Sequence, residues 1–299
     1  MILPEKVVRA AVRARGSNRS FLTAEAARER MEALALRPRS WGPPRGLRSD
    51  VGITVTRRRG WPLYTVSPTT ARAHGAVVYA HGGGWISEII AEHWRLIAQI
   101  AAEAGTTVVV PIYPLAPFGE AEEVVAQFVD ILRETADRFG SARLAGDSAG
   151  GQIALSAALE LRDRHGARVP RTVLISPALD LTWSNPRIPE VQPDDPWLAV
   201  PGGHVRTEAW RGDLDVTDQR VSPLFGDLTG LGPITLFSGT HDILNPDARL
   251  LAERAADVGV DVELHEGEGL LHVYPLLPTA SGARARRIIV ERLVEDVRR

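Results

Sequence analysis

The chain has 299 residues, of which 44% are hydrophobic and 24% charged, and its formal net charge is −2. This composition is typical of a soluble globular protein, and the small net charge excludes the basic surface that nucleic-acid-binding proteins usually carry. There is no cysteine, and Lys6 is the only lysine, so thiol nucleophiles and disulfides are excluded, a Schiff-base lysine is disfavoured, and serine becomes the main candidate nucleophile.

The first 16 residues contain arginine and polar residues but no apolar stretch of the kind that marks a secretory signal. No run in the chain approaches 18 apolar residues. We therefore expect a cytoplasmic protein with no stable membrane insertion and no nucleic-acid partner.

Two amphipathic helices are predicted before any strand, over residues 4–15 and 23–36, with Thr23 as the N-cap of the second. Prolines at positions 38, 43 and 44 then mark a linker. The two helices fit a lid or a docked N-terminal arm better than a layer of an alternating core.

Strands and helices alternate through the rest of the chain, after a predicted antiparallel pair at residues 51–55 and 61–66. The predicted strands are 76–80, 106–110, 143–145, 172–175, 234–238 and 262–265, and the predicted helices are 94–104, 121–139, 152–165, 247–258 and 283–297. Short apolar strands that alternate with helices predict an α/β fold with a mostly parallel sheet covered on both faces.

Residues 181–220 interrupt this alternation. They hold five prolines and three of the seven tryptophans, without clear periodicity. A long irregular segment in a compact domain is usually functional, so this segment is a second candidate for a lid.

Gly146-Asp147-Ser148-Ala149-Gly150-Gly151 stands between a short predicted strand and a long predicted helix. The pattern G-x-S-x-G in this setting is typical of a nucleophile elbow, a sharp turn that exposes the serine hydroxyl above the sheet. The flanking glycines remove the Cβ atoms that would clash at such a turn. We give Asp147 a structural role in holding the loop.

His81-Gly82-Gly83-Gly84-Trp85 follows directly on the predicted strand 76–80. Consecutive glycines let backbone N–H groups approach a bound oxygen, as in the oxyanion hole of an acyl-transfer enzyme. A phosphate-binding loop is the competing interpretation, but the chain has neither G-x-x-x-x-G-K-S/T nor G-x-G-x-x-G.

A nucleophilic serine needs a base and an orienting carboxylate. Among eight histidines, His272 lies in a loop after the last predicted strand, at the sheet edge where sites form. Asp242 follows the preceding strand; Asp180 and Asp247 are the alternatives, with Asp180 after an earlier strand and Asp247 at a helix start. We expect Asp242 to orient His272.

These motifs, with Tyr113-Pro114-Leu115-Ala116-Pro117 and Ile175-Ser176-Pro177-Ala178-Leu179-Asp180, resemble those of α/β-hydrolases of the hormone-sensitive-lipase-like carboxylesterase family. The resemblance spans residues 76–274. Within the family, the chain is similar to the branch of steryl acetyl hydrolases and monoterpene ε-lactone hydrolases. It implies an α/β-hydrolase fold in which residues 49–180 and 221–299 form the catalytic domain. Residues 1–48 and the insertion 181–220 would form a helical cap.

The resemblance also implies a set of site residues, with no metal and no cofactor. Ser148 would be the nucleophile, His272 the base and Asp242 its partner, with the oxyanion held by the N–H groups of Gly82, Gly83 and Ala149. Trp85, Trp183 and Trp197 are expected to contact an apolar part of the substrate.

The function expected is hydrolysis of small to medium apolar carboxylic esters through an acyl-enzyme on Ser148. Hydrolysis of an ε-lactone or of a steryl or terpenoid acetyl ester would use the same triad. A non-catalytic small-molecule receptor of this fold is a further alternative, which retention of His272 disfavours. The family often dimerises, which suggests a homodimer through the edge strand 262–265.

Overall fold

We describe the fold from a computed structural model, which defines residues 2–70 and 72–295. The strands are β1 Val51–Arg58, β2 Trp61–Pro68, β3 Ala76–Ala80, β4 Thr107–Pro111, β5 Ala142–Asp147, β6 Thr172–Ile175, β7 Ile234–His241 and β8 Val262–Leu271. Within the described residues they form one eight-stranded sheet in the order β1-β2-β4-β3-β5-β6-β7-β8. The helices are α1 Glu5–Ala14, α2 Arg19–Leu22, α3 Ala24–Leu36, α4 Ala91–Glu103, α5 Ala121–Phe139, α6 Ala149–His165, α7 Ile188–Val191, α8 Val200–Arg211, α9 Asn245–Asp257 and α10 Ala280–Glu295.

The sheet is antiparallel at one end and parallel elsewhere. β2 runs antiparallel to both β1 and β4. The strands that follow in the sheet, in the order β4-β3-β5-β6-β7-β8, all pair in parallel with their neighbours. Arg59 and Gly60, which join β1 to β2, both have positive φ, 47° and 90°, as the tight turns of two-residue hairpins require. The prediction of an antiparallel pair followed by a mostly parallel sheet is confirmed.

Both faces of the sheet are covered, as the apolar runs predict. Val77 and Tyr79 of β3 face a core that includes Trp94 of α4 and Ile289 of α10. The alternate residues of the same strand, such as Val78, face the core on the opposite side with α5, α6 and α9. Because every strand in the middle is buried on both sides, its sequence is continuously apolar rather than alternating.

Several elements differ in length from their predicted bounds, and three of them show why. α4 begins at residue 91 rather than 94, since His93 Nδ1 accepts the Ile90 N–H at 3.0 Å and closes the first turn. β8 extends to Leu271 because its second half continues to pair with the end of β7. The last helix begins at residue 280 rather than 283, and positions 296–297 of the predicted helix lie outside the described residues.

Of the N-terminal helices, α2 and α3 lie against α8, which belongs to the irregular segment 181–220. Thr23 caps α3 as predicted, its hydroxyl accepting the Ala26 N–H at 3.1 Å. Adding a Cβ to Gly202 of α8 would bring it against the backbone of Phe21, so the two segments touch closely. Among the helices of residues 2–70 and 72–295, none has the length and apolarity that crossing a bilayer requires.

Candidate active site

Ser148 stands at a sharp turn between β5 and α6. Its backbone has φ 52° and ψ −119°, outside the regions that ordinary residues occupy. A Cβ at Gly150 would overlap the Ala80 carbonyl, so glycine is required for the turn to approach β3. The Ser148 N–H donates to Ile175 O at 2.8 Å and fixes the turn to β6. Local strain of this kind is typical of functional positions.

Ser148, His272 and Asp242 form one hydrogen-bonded chain. The His272 ring nitrogens lie 3.0 Å from Ser148 Oγ (Nε2) and 2.8 Å from Asp242 Oδ2 (Nδ1). A carboxylate only accepts hydrogen bonds, so the Nδ1 proton faces Asp242 and leaves Nε2 as the acceptor for the serine hydroxyl. The three residues predicted to act together are therefore in contact.

The charge balance at His272 favours a base. Burial lowers the pKa of His272, but the charge of Asp242 and its hydrogen bond raise it, and Asp195 adds to the rise. The net pKa lies above the ordinary value. An imidazolium formed during a reaction would be stabilised in the same way.

Asp242 is fully buried at the C-terminal end of β7 and accepts the Leu244 N–H on its second oxygen at 3.0 Å. The two alternative carboxylates have other partners. Asp180 binds the Thr182 N–H and hydroxyl, and Asp247 accepts from Asn185. Asp242 is the one that contacts His272.

Asp195, which the sequence analysis missed, lies beside the triad. It is 5% exposed. One of its oxygens accepts the N–H groups of Trp197 and Leu198 at 2.7 and 3.0 Å, and the other accepts the Ile243 N–H at 2.9 Å. It therefore joins the segment 181–220 to the residue that follows Asp242. Burial and the charge of Asp242 raise the pKa of Asp195 to about 6.

The glycine loop, residues 81–87, contacts the turn that holds Ser148, through Asp147 and Gly150. The Gly82 N–H is already used, because it donates to Asp147 Oδ1 at 3.1 Å. In the described chain, the N–H groups of Gly83 and Ala149 make no such bond, and Ala149 begins α6, where the first N–H groups have no partner inside the helix. Gly83 and Ala149 are the predicted donors that stay available to an oxyanion.

The Asp147 carboxylate holds the glycine loop in place. Besides Gly82, it accepts the Tyr79 hydroxyl at 2.7 Å, and its other oxygen lies 3.0 Å from His93 Nε2. The His93 Nδ1 atom accepts a backbone N–H, so Nε2 carries the proton and donates to Asp147. Despite burial, His93 and Tyr79 keep the pKa of Asp147 below its ordinary value.

The three predicted substrate tryptophans lie in different surroundings. Trp197 is half-buried, and its ring meets the His272 ring edge-on at 6.3 Å. Trp85 and Trp183 are 3% and 9% exposed, and their indole N–H groups donate to Gln152 and Thr207. They present little surface to a ligand. That these two contact substrate stays a prediction; their indole rings, with satisfied N–H groups, pack well inside a core.

Gln152, on the first turn of α6, connects several parts of the site. Its Oε1 accepts the indole N–H groups of Trp85 and Trp210, both at 3.0 Å. Its Nε2 donates to Ser156 and to the Arg220 carbonyl. A fully satisfied buried amide of this kind specifies one arrangement of its neighbours. Gln152 stands four residues after Ser148, but these partners could not be predicted from its residue type.

Ser176 supports the histidine loop. Its hydroxyl accepts the N–H of Val273, the residue after His272, at 3.0 Å, and Val273 has a positive φ of 47°.

No group of three or more His, Asp or Glu side chains in the described residues is placed to hold a metal ion.

Comparisons with known proteins agree with this geometry. A family model described as the alpha/beta hydrolase fold matches residues 77–276. A triacylglycerol lipase of Mycobacterium tuberculosis is 34% identical over 250 residues, covering 80% of this chain but 52% of the lipase, so the chain spans about half of that relative. An acetyl-hydrolase of Streptomyces hygroscopicus is 31% identical over 72% of this chain and 74% of its own length.

The crystal structure of an esterase from the bacterial hormone-sensitive lipase family superposes with a TM-score of 0.81. It is 25% identical and covers 99% of this chain and 100% of its own. The fold and the site thus define an α/β hydrolase. The chain belongs to that family, and within it to the hormone-sensitive-lipase-like carboxylesterases, which makes it a carboxylic-ester hydrolase.

Proposed function

We propose that this chain hydrolyses small to medium apolar carboxylic esters through an acyl-enzyme on Ser148. The observation that carries the proposal is the Ser148–His272–Asp242 chain of hydrogen bonds. The N–H groups of Gly83 and Ala149, which make no hydrogen bond in the described chain, are our candidate donors to the oxyanion.

In this mechanism His272 Nε2 takes the hydroxyl proton while Ser148 Oγ attacks the ester carbonyl carbon. The carbonyl oxygen becomes negatively charged and accepts the N–H groups of Gly83 and Ala149. The imidazolium is stabilised by Asp242 and gives its proton to the departing alkoxide, which leaves as the alcohol. Water then attacks the acyl carbonyl carbon with His272 as base. The bond from that carbon to Ser148 Oγ breaks, the carboxylic acid leaves, and His272 returns the proton to Ser148.

Gly82 has a supporting role in this proposal rather than that of a donor. Its N–H bond to Asp147 fixes the loop, and we infer that this positions the next N–H, at Gly83, for the oxyanion. Donors held in place before the reaction need no reorganisation as charge develops.

Residues 1–48 and 181–220 form the cap in this proposal. Their contacts support it, because α8 lies against α2 and α3, and Asp195 and Trp197 bring the second segment to the triad. The half-buried face of Trp197 beside His272 suits an apolar group of the substrate.

The test is hydrolysis of p-nitrophenyl esters from acetyl to dodecanoyl, together with an ε-lactone. Ser148→Ala should lower kcat by about 10⁶-fold, since removal of the nucleophile ends the covalent route. Ser141→Ala is the matched control, because Ser141 precedes β5 at the opposite end from Ser148. Full activity in Ser148→Ala would refute the mechanism. Turnover of the lactone alone would replace the ester assignment with lactone hydrolysis, and activity confined to acetyl esters would favour an acetyl-ester substrate.

We also propose that two copies pair along β8. The support is its place at the end of the sheet order, where a strand can pair with a second chain. Light scattering after size-exclusion chromatography measures this directly, and the mass of a single chain would contradict it. The cytoplasmic location stays a prediction.

A further inference from the structure

Arg206 is a buried cation beside the glycine loop. It lies in α8 and is 4% exposed. Its side chain packs against Gly84, because a Cβ built on that glycine would be 3.3 Å from Arg206 Cδ and 3.6 Å from Nη1. Gly84 directly follows Gly83, whose N–H we assign to the oxyanion.

The contacts of Arg206 leave part of its guanidinium unused. Both of its hydrogen bonds leave from Nη2, to the Ser20 hydroxyl at 2.9 Å and the Ser20 carbonyl at 3.4 Å. The Phe21 ring covers one face of the guanidinium, with Cζ 3.3 Å from the ring centroid. Nε is buried without a partner. Nη1 also makes no hydrogen bond within residues 2–70 and 72–295.

No acidic side chain in the described part of the chain forms an ion pair with Arg206. The nearest charge that affects it is another cation, Arg30 of α3, which is in turn close to Arg39. Burial first, and then Arg30, lower the pKa of Arg206 to about 9. Buried charges in proteins are normally paired, because an isolated buried ion loses its solvation without compensation. The three arginines therefore form a positive cluster, and no salt bridge within residues 2–70 and 72–295 gives it a counterion.

The distance to the reaction centre bounds the size of an anion that could fill this place. Nη1 is 3.6 Å from the Cβ position of Gly84, and consecutive Cα atoms are about 3.8 Å apart, so Nη1 lies at most about 9 Å from the Gly83 Cα. Within this upper limit, a chain of a few methylene groups is enough to join an ester whose carbonyl oxygen meets the Gly83 N–H to a second group near Nη1.

We propose that Arg206 binds a carboxylate carried by the ester substrate, so that the preferred substrates are half-esters of dicarboxylic acids or esters of hydroxy acids. The inference rests on the proposed function and refines its substrate class. The chain near the ester group remains apolar, and its far end carries the negative charge. A guanidinium is suited to this task, because its planar N–H groups match a carboxylate and it stays charged at neutral pH.

The alternative is that Arg206 only attaches residues 20–21 to α8. That role uses Nη2 and the guanidinium face, and it predicts no dependence on substrate charge. The unused Nε and Nη1 donors and the missing counterion favour the binding role.

The experiment compares charged and neutral substrates of equal size. Monoethyl glutarate is paired with ethyl 4-carbamoylbutanoate for a carboxylate on the acyl side, and 4-acetoxybutanoate with 4-acetoxybutanamide for one on the alcohol side. For each pair, kcat/KM is measured at pH 7.5 for the wild type, Arg206→Lys and Arg206→Met. Arg211→Met is the matched control, because Arg211 lies in the same helix and pairs with Glu208.

We expect the wild type to prefer the anionic member of one pair by at least about tenfold, the size of a charge-assisted hydrogen bond. Arg206→Met should abolish that preference, Arg206→Lys should keep part of it, and Arg211→Met should keep all of it. The pair that shows the preference identifies the side of the ester that carries the carboxylate. Thermal melts of each variant establish that it is folded.

Equal kcat/KM values for charged and neutral members in the wild type would overturn the inference. So would a preference that Arg206→Met leaves intact. Either result leaves the proposed function standing if the neutral esters are still hydrolysed in a Ser148-dependent manner. Failure of the wild type to hydrolyse any ester would instead count against the proposed function.

Discussion

Replacing Asp195 by asparagine should remove a pH dependence from the stability of the protein and impair catalysis. The ordinary pKa of an aspartate is 3.8, and burial together with the charge of Asp242 raises that of Asp195 to about 6 in the folded protein. A carboxylate whose pKa is raised on folding contributes stability that is complete below pH 4 and is lost as the pH rises through 6. A pKa difference of one unit corresponds to about 1.4 kcal/mol, so the free energy of unfolding falls by about 3 kcal/mol over the whole titration of Asp195.

Asparagine does not titrate and resembles the protonated aspartic acid in size. The difference in the free energy of unfolding, Asp195→Asn minus wild type, should therefore increase by about 2 kcal/mol between pH 4.5 and 7.5, since part of the change already lies below pH 4.5. Urea titrations at four pH values in this range measure it. Asp194→Asn is the control, because Asp194 is adjacent in sequence but exposed, with its carboxylate 3.8 Å from Arg13. The difference in the free energy of unfolding between Asp194→Asn and the wild type should stay within about 0.5 kcal/mol at all four pH values.

The same substitution should weaken catalysis. The asparagine amide nitrogen would replace one carboxylate oxygen and would face either the Ile243 N–H or the N–H groups of Trp197 and Leu198. Both groups at that contact would be donors, so the hydrogen bond would be lost. Loss of the Asp195 charge also lowers the pKa of His272, so the acid limb of kcat/KM should move to lower pH. A stability difference that does not change with pH would refute this reasoning, because it would mean that Asp195 titrates normally in the folded protein.

Three further substitutions test the supports of the site. Asp147→Asn should lower the free energy of unfolding by about 2 kcal/mol and reduce kcat, since its amide nitrogen would meet the His93 N–H; unchanged urea midpoints and kcat would contradict this. Ser176→Ala should reduce kcat severalfold with little change in KM, because the buried Val273 N–H beside the catalytic histidine loses its acceptor, whereas an increase confined to KM would exclude the positioning role. Gly150→Ala should prevent folding in soluble form, because the added methyl group overlaps a backbone carbonyl of β3, and a folded, active variant would show that the elbow can move away.

The parts of the site that could be predicted from sequence are those fixed by local geometry. The turn at Ser148 needs glycine on both sides, and His272 and Asp242 follow strands whose carboxyl ends meet at one edge of the sheet. Such requirements leave a pattern in neighbouring residues. The alternation of apolar strands and amphipathic helices predicted the fold in the same way.

The remaining features depend on contacts between distant residues. The Gly82 N–H is diverted by a carboxylate 65 positions away, and no property of a glycine run reveals that partner. Trp85 and Trp183 are expected to contact substrate because their rings offer large apolar surfaces, and the sequence does not reveal that they are mostly buried around Gln152 and Gly203. Asp195 was missed because an aspartate in a proline-rich segment is indistinguishable from a turn residue.

The shared carboxylate of Asp147 has a consequence for recombining this enzyme with its relatives. It binds β3 through Tyr79, the glycine loop through Gly82 and the start of α4 through His93. A glycine loop transplanted from another family member would arrive without the tyrosine and histidine that complete this set. The smallest exchangeable module is therefore the continuous stretch from residue 79 to residue 93, taken together with the acidic residue before the nucleophile.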